Sequence, residues 1–489
     1  MLYNPVASIT ILLLLAWCLW SIRQGYVKDQ QDRSFWPILL LAAVILVYMS
    51  ADSGLHDWDE RYHALVSKNI GQNWWKPILF SDPVLVADPH NWSLGHVWLH
   101  KQPFALWCMA LSLKLFGASA YAVRLPSLIF TLLAVFCTYR IGCLLFSKRV
   151  ALVAAFFHGS NGLVMEIASG RISTDHVDAI FIALVECSIL FGLIYQKSKQ
   201  GHFLLFTGIF CGLAILTKWL TGLLVLPVIG YFLLHNNEPL VGVVKKVSFA
   251  FIVALLVFMP WQLFISTHYP EVSSIEYAYN RLHLTKAIEG HEGPVWYYMD
   301  SLRMVLGETL LLVFILIGVR YYEQRSAKLG ILFVWILIPL LFFSFAATKM
   351  KGYMLIAYPA LFILMGLALE ELFQFWCRAN GVKRFFVSVA MGAILLLPVR
   401  YGIERIKLFE DRMSVQEWQV ERQQFCELST SFTKRPLIFS DDKYVQSMFM
   451  CEQVVAYPFA FLPEHLEQID TVRYRVFIVD NGRIVPIDF

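Results

Sequence analysis

Charge is what this sequence lacks most. Asp, Glu, Lys and Arg make up 16% of its 489 residues, against about 25% in soluble globular chains. Hydrophobic residues reach 58% and aromatics 15%, with a mean hydropathy of +0.59, so the chain reads as an integral membrane protein. Its basic residues are dispersed and the formal net charge is only +4, which excludes the concentrated basic face that a nucleic-acid partner needs. Nucleotide motifs are missing: there is neither a G-x-G-x-x-G nor a P-loop. The C-x-x-C spacing of structural zinc is missing as well. The apolar run from Pro5 to Trp20 has no positive charge before it and no A-x-A site after it, so it is expected to be an uncleaved span.

What is there is a series of long apolar runs. A span needs roughly 20 apolar residues, and the runs near 5–22, 36–50, 121–142, 149–167, 177–195, 202–217, 219–234, 247–264, 301–319, 329–346, 353–372 and 385–399 predict about 12 transmembrane helices. Every second connection is basic, with Arg23, Lys28 and Arg33 in the first, Lys197 and Lys199 in a later one, and Arg320, Arg325 and Lys328 in another. The positive-inside rule puts these in the cytoplasm and the alternate connections, with the tail beyond Arg400, outside. Pro103 to Gly117 is apolar but too short to span, and it is expected to lie along the outer face. The expected organisation is two spans in 1–50, an outer loop with juxtamembrane helices in 51–120, the remaining bundle in 121–399 and a small tail domain in 400–489.

On this topology six charged segments emerge on one side: "SGLHDWDERYHALVSKN", "WLHKQPF", "SGRISTDHVD", "LTKW", the loop Ser266 to Asp300, and "ATKMKGYM". Charges near membrane depth usually line a cavity, so a polar pocket opening outward is expected. Asp57 could cap a helix there and Glu60 complete a capping box; a carboxylate such as Asp59 under apolar walls could instead act as a general base. Lys218 has two readings, a snorkelling span end or a pocket cation, whereas His100 and Gln102 put Lys101 in a polar patch. Lys349 and Lys351 stand in a short outer turn where the positive-inside rule would not place them, which suggests an anion such as phosphate. A divalent ion held by Asp59, Asp175 or the outer histidines is an open alternative.

Nine cysteines are spread thinly and seven fall in or beside apolar segments. Cys426 and Cys451 lie in the tail, and an oxidising outer compartment would join them in a disulfide. "RPLIFSDD", "EQVVAYP" and "RYRVFIVDNGRIVPI" read as strands and "SVQEWQVERQQFCELSTSF" as a helix, giving a small α/β domain. A transferase working outside, where no nucleotide sugar is available, must draw its activated donor from the membrane.

The motifs resemble, in order, those of the protein mannosyltransferase and lipid A aminoarabinose transferase superfamily, the GT-C glycosyltransferases. "WDERYHAL" is similar to its D-E-x-R-Y. "HKQPFALWCMALSLKLFGASAYAVRLPS" resembles its E-K-P-P segment running into F-G-x-x-x-x-A-V-R-L-P-S, "GRISTDHVDA" its R-x-x-x-T-D, and "ILTKW" its L-T-K-G. "MPWQLF", "GPVWYY" and "KMKGYMLIAYPAL" resemble its later elements. The chain departs from the family at His100, Lys101, Gln102, Pro103, where the family has Glu-Lys-Pro-Pro, and around Arg281, His283 and Lys286, where H-I-Q-R-F is out of register.

The resemblance implies a polytopic α-helical membrane enzyme of the GT-C fold, with the tail as a periplasmic α/β domain. It would move a sugar from a polyprenyl-phosphate donor to a lipid A, protein or glycan acceptor at the periplasmic face of a bacterial inner membrane, with inversion. It implies a catalytic Asp59, with Glu60 and Asp175 beside it, and phosphate contacts from Lys101, Arg61 and Tyr353. Tyr62, His100, Arg171, Lys218, Arg281, His283, Lys349 and Lys351 complete the candidate substrate contacts. The sugar-lipid enters as substrate, the bilayer and the acceptor are the partners, and no cofactor is required beyond the open question of a divalent ion. The alternatives are a flippase for a lipid-linked glycan, although no internal repeat supports one, and a glycan polymerase using the same donor class.

Overall fold

Inside a bilayer a chain must satisfy its own backbone hydrogen bonds, and the apolar runs answer as helices. The computed structural model describes all residues except 1–4, 29–30, 52–53, 57, 87, 173–175, 409–425, 428–433, 441–442, 460–468, 481–482 and 488–489. Among the described residues, 8 helical runs are long and apolar enough to cross a membrane, or 10 if each of two bent pairs is one span.

Two apolar runs differ from a simple straight span. Helix α2 (Gln31–Met49) follows α1 (Pro5–Lys28), and its apolar part, Arg33–Met49, adds a short span. The run Gly201–Leu234 has 34 residues, about 51 Å if straight against a hydrocarbon core of about 30 Å, and it folds back. Helix α9 (Gly201–Lys218) ends in a 3-10 turn, Trp219–Leu224, and α10 (Val225–Leu234) returns. The Cys211 thiol points at the Gly222 carbonyl at 3.5 Å, and the Gln196 amide reaches Asn236 O at 3.4 Å, so the chain comes back to the end it left.

The remaining passes are α5 (Ala120–Leu145), the pair α6 (Lys148–Ser160) and α7 (Gly162–Ala168), α8 (Val177–Ser198), α11 (Leu240–His268), α14 (Leu310–Gln324), α15 (Ala327–Phe345), α16 (Tyr358–Arg378) and α17 (Gly381–Ile406). Asn161 both breaks the α6 pass, by 53°, and caps its continuation through a bond from Val164 N. α13 (Tyr297–Leu306) turns by 103° into α14 at Gly307, whose φ of 95° suits glycine. α8 and α16 are buried almost throughout, while α11 and α17 face outward over most of their length. α9 and α11 meet through small residues: a Cβ on Gly208 would stand 2.6 Å from Ala250 O, and one on Gly212 2.6 Å from Val257 Cβ. Thr138 of α5 bonds to His158 of α6 at 2.8 Å and to Glu186 of α8 at 2.7 Å, tying three buried passes together.

Helix α4 (Pro103–Phe116) does not cross the bundle. Gln102, at its start, accepts a bond from Gln262 near the end of α11. Three residues past its end, α5 opens with Tyr121 donating to Ala51 O and Arg124 to Ser50 O, at the outer end of α2. Both ends of α4 therefore stay on one face. At the opposite face the basic connections close with Lys199–Glu238, Lys246–Glu238 and Arg149–Glu370.

The tail forms a four-stranded sheet of order β2-β1-β3-β4 from β1 (Arg435–Phe439), β2 (Val455–Tyr457), β3 (Tyr474–Asp480) and β4 (Arg483–Pro486). β1 runs parallel to β2 and β3, and β4 is antiparallel to β3. These strands fall where the sequence predicts them; of the expected helix around 414–432, only residues 426–427 are described. Cys426 and Cys451 are disulfide-bonded. The sheet and its helix α18 (Tyr444–Met450) sit against α3 (Asp59–Ile70) of the outer loop. Lys68 donates to Met448 O and Phe449 O, Gln446 to Leu55 O, and the backbone of Val84 to the Tyr457 hydroxyl. Asp82 meets Arg435 and Arg473. This cover explains why so polar a helix as α3 is buried along nearly its whole length.

Candidate active site

The site begins where α3 begins. Expected capping by Asp57 falls outside the described residues, and the residue before the helix is Trp58, which makes no side-chain cap. Trp58 has a φ of 78°, a conformation that costs a non-glycine residue roughly 1–3 kcal/mol and that concentrates at functional sites. It aims the next residue, Asp59, whose buried carboxylate lies 3.9 Å from Lys101 Nζ.

Glu60, expected beside Asp59 in the catalytic set, is heavily bonded. Arg124 of α5 grips it in a fork, Nε to Oε1 at 2.6 Å and Nη2 to Oε2 at 2.8 Å, and His56 N also donates to it. Both side chains are almost wholly enclosed. A bidentate pair held this way fixes α3 to the bundle. Gly170 closes over the pair: with φ at 62°, a Cβ there would stand 2.4 Å from Glu60 Oε1.

A wall rises from Lys101. His100 stacks on Trp92 at 4.5 Å and 12°, and its Nδ1 lies 3.6 Å from Glu276 Oε1 on α12 (Pro270–Thr285). Tyr279, one turn on, donates to Glu289 Oε1 at 3.2 Å, as does Trp92 Nε1 at 3.1 Å. Burial, with the charges of Glu289 and Glu276, pushes the Tyr279 phenol up, while Lys101 opposes them. His283 is pulled down to about 4, first by burial and then by His100 and Lys101, so its imidazole is neutral at pH 7.

A second cation stands on the same end. Lys218 pairs with Asp178, near the start of α8, and lies 5.0 Å over the Tyr353 ring. Trp219 beside it has a φ of 56° and stacks on Tyr277 of α12 at 5.4 Å. His176, two residues before Asp178, is 3.9 Å from Glu60 and packs on His63, which joins this cluster to α3.

The other candidates scatter. Arg61 is buried beside Tyr62. Tyr62 bonds Tyr444 at 2.6 Å and packs on Trp92, so it faces the tail. Lys349 is buried and donates to Ala346 O, while Lys351 and Arg281 are exposed. Arg171 is half-buried just after α7. Asp175 lies outside the described residues. Among the described residues no three His, Cys, Asp or Glu side chains are grouped to hold a metal.

Sequence reasoning missed Arg124, Asp178, Glu276 and Glu289 as working partners. Arg124 and Asp178 stood inside quoted motifs, "AVRLPS" and "STDHVD", while nothing local marks Glu276.

The chain is similar to several known proteins. The profile of the family described as dolichyl-phosphate-mannose-protein mannosyltransferase matches residues 100–264. Undecaprenyl phosphate-alpha-4-amino-4-deoxy-L-arabinose arabinosyl transferase of Pseudomonas aeruginosa (strain LESB58) is 27% identical over 394 residues, 76% of this chain and 67% of the relative. The homologue in Serratia proteamaculans is 28% identical over 346 residues, 69% of this chain and 59% of the relative. Among solved structures, ArnT from Cupriavidus metallidurans bound to undecaprenyl phosphate shares the fold, with 15% identity, 94% of each chain and a TM-score of 0.66. So does the oligosaccharyltransferase AglB from Archaeoglobus fulgidus, in complex with an inhibitory peptide and a dolichol-phosphate, with 14% identity, 91% of this chain, 69% of that one and a TM-score of 0.62.

Proposed function

We propose that this chain, a membrane glycosyltransferase of the GT-C superfamily, transfers a sugar from a polyprenyl-phosphate donor to an acceptor at the periplasmic face of a bacterial inner membrane. The observation that carries the reading is the pair Asp59 and Lys101, an enclosed carboxylate and a cation 3.9 Å apart at the outer end of the bundle. Sugar transfer needs both charges. A hydroxyl or amine of the acceptor attacks the anomeric carbon as the lipid phosphate leaves; a carboxylate takes the acceptor's proton and a cation steadies the charge growing on the phosphate.

Asp59 is assigned the proton and Lys101 the phosphate. Arg61, two residues on in α3, and Lys218 over Tyr353 supply further positive charge on the same end. A single displacement inverts the anomeric centre. The names of the relatives, which specify an undecaprenyl phosphate-linked aminoarabinose donor, support a lipid-linked donor, and the acceptor is a lipid A, protein or glycan group presented on the outer face. Asp175 and Arg171, flanking the segment after α7, are assigned to acceptor positioning. A divalent ion, if one binds, would have Asp59 as its carboxylate on α3.

Mass spectrometry of envelope lipids, glycans and glycoproteins from a deletion strain identifies the missing sugar and its acceptor together. An unchanged envelope, with no transfer from polyprenyl-phosphate sugars by the purified protein, would overturn the assignment. For sidedness, a reporter fused after Arg400 should read as periplasmic and one near Gln324 as cytoplasmic; the reverse pair of results would put the site on the wrong face.

A further inference from the structure

Glu276 of α12, far in sequence from the Asp59 and Lys101 segments, turns its carboxylate to His100, the neighbour of Lys101. Its side chain is 11% exposed and that of His100 12%. Oε1 faces His100 Nδ1 at 3.6 Å, beyond hydrogen-bond length, and both Nδ1 and Oε2 are enclosed without a hydrogen-bond partner. Enclosed polar atoms left in this state are costly and call for an explanation. The surroundings supply one. His100 adjoins Lys101, which is paired with Asp59, and its ring is held flat against Trp92. The Tyr279 hydroxyl lies within electrostatic reach of Glu276, Glu289 and Lys101 together. Aromatic faces beside carboxylates, next to His100 and the adjoining Lys101, form the surroundings a sugar ring requires.

We infer that Glu276 and His100 form the sugar-recognition wall of the donor site, taking a ring that offers hydroxyl or ammonium hydrogens and rejecting one that carries a carboxylate. This inference rests on the donor-site reading above. An ionised carboxylate only accepts hydrogen bonds. The terminal torsion of a glutamate is broad, so either oxygen of Glu276 can turn to the opening that its residual exposure marks. A sugar hydroxyl or ammonium placed there gains a charge-assisted bond, while a uronic acid would set its own carboxylate against Glu276 and Glu289. His100 Nδ1, facing Glu276, leaves the rest of the ring, where its exposure lies, toward the ligand; Glu276 is thus both a contact to the sugar and a positioning residue for His100.

The test measures binding of three probes, undecaprenyl phosphate, an undecaprenyl-phosphate neutral hexose and an undecaprenyl-phosphate hexuronic acid, to purified wild type, Glu276→Gln and Glu276→Asp. Wild type should prefer the hexose to the hexuronate by roughly tenfold or more, since like charges opposed across a contact cost several kcal/mol. Glu276→Gln should lower that ratio severalfold, with Glu289 keeping the remainder, and leave bare undecaprenyl phosphate binding unchanged, which also shows the variant to be folded. Glu276→Asp, which keeps the charge, should restore part of the preference. A ratio unchanged in Glu276→Gln, a wild type that does not discriminate, or an equal loss of the bare lipid phosphate would each overturn the inference. Failure of wild type to bind any of the three probes would instead overturn the donor reading itself.

Discussion

Asp59 Oδ1 and Lys101 Nζ face each other across 3.9 Å, one at the first turn of α3 and the other two residues before α4. The two segments are joined by a long loop, so the pair depends on how that loop is held as much as on either helix.

Asp59→Asn preserves shape and most hydrogen bonding and removes the charge. Loss of a general base typically costs about 10² to 10⁴ in rate, so turnover should collapse while donor binding persists. Transfer from a synthetic polyprenyl-phosphate donor, measured beside donor binding, decides the matter; near-normal turnover would remove Asp59 from the chemistry.

Lys101→Ala should act on binding. A hydrogen bond to a charged group is worth roughly 1.5–3 kcal/mol, so affinity for undecaprenyl phosphate should fall about 10- to 150-fold. Unchanged affinity would take the phosphate away from Lys101.

Arg124→Ala strands the Glu60 carboxylate in an enclosed site, and breaking a buried pair costs about 3–5 kcal/mol. A clear drop in the melting temperature of the purified protein is expected, with turnover per folded molecule kept within a few fold by Glu60→Gln, which retains most of the bonding. Stable variants with lost turnover would return Glu60 to the chemistry.

His283 makes stability depend on pH with a definite sign. Its folded value of about 4 lies below the ordinary 6.5, so acid adds a proton to the unfolded chain first. The stability it contributes is complete above pH 6.5 and is lost as pH falls toward 4. The groups around it are His100, Lys101, Glu289 and His291. Melting temperatures across this window should fall less steeply in His283→Asn than in wild type, and parallel curves would count against a neutral buried His283.

Reduction of Cys426–Cys451 should destabilise the tail. For a sequence separation of 25, loop-closure entropy alone gives about 3.5 kcal/mol. Intact mass with and without reductant, followed by limited proteolysis of the Cys451→Ser variant, measures it; equal protease resistance would show the bond to be dispensable.

Much of this was legible in the sequence because hydropathy and charge are local. The apolar passes, the return of α4 to its own face and the strands of the tail follow from runs of neighbouring residues. Lys101 and Asp59 emerged from resemblance and from their place in polar patches. The partners did not. Glu60 reads like a helix-capping acid until Arg124 arrives from α5, Lys218 reads like a snorkelling lysine until Asp178 stands beside it, and Glu276 has no signal in its own segment at all. Pairing across separate helices is set by packing, and a single sequence does not write it down.

The grip of the tail on α3 has a consequence for the making of the protein. Tyr62 and Lys68 find Tyr444, Met448 and Phe449 some 380 to 382 positions later. A ribosome that has just released α3 has therefore made Asp59 without the tail surface that covers its helix. The cover over α3 is finished late, by residues laid down after the last span, so in an unfinished chain the helix that Asp59 opens lacks the contacts that Tyr444, Met448 and Phe449 give it.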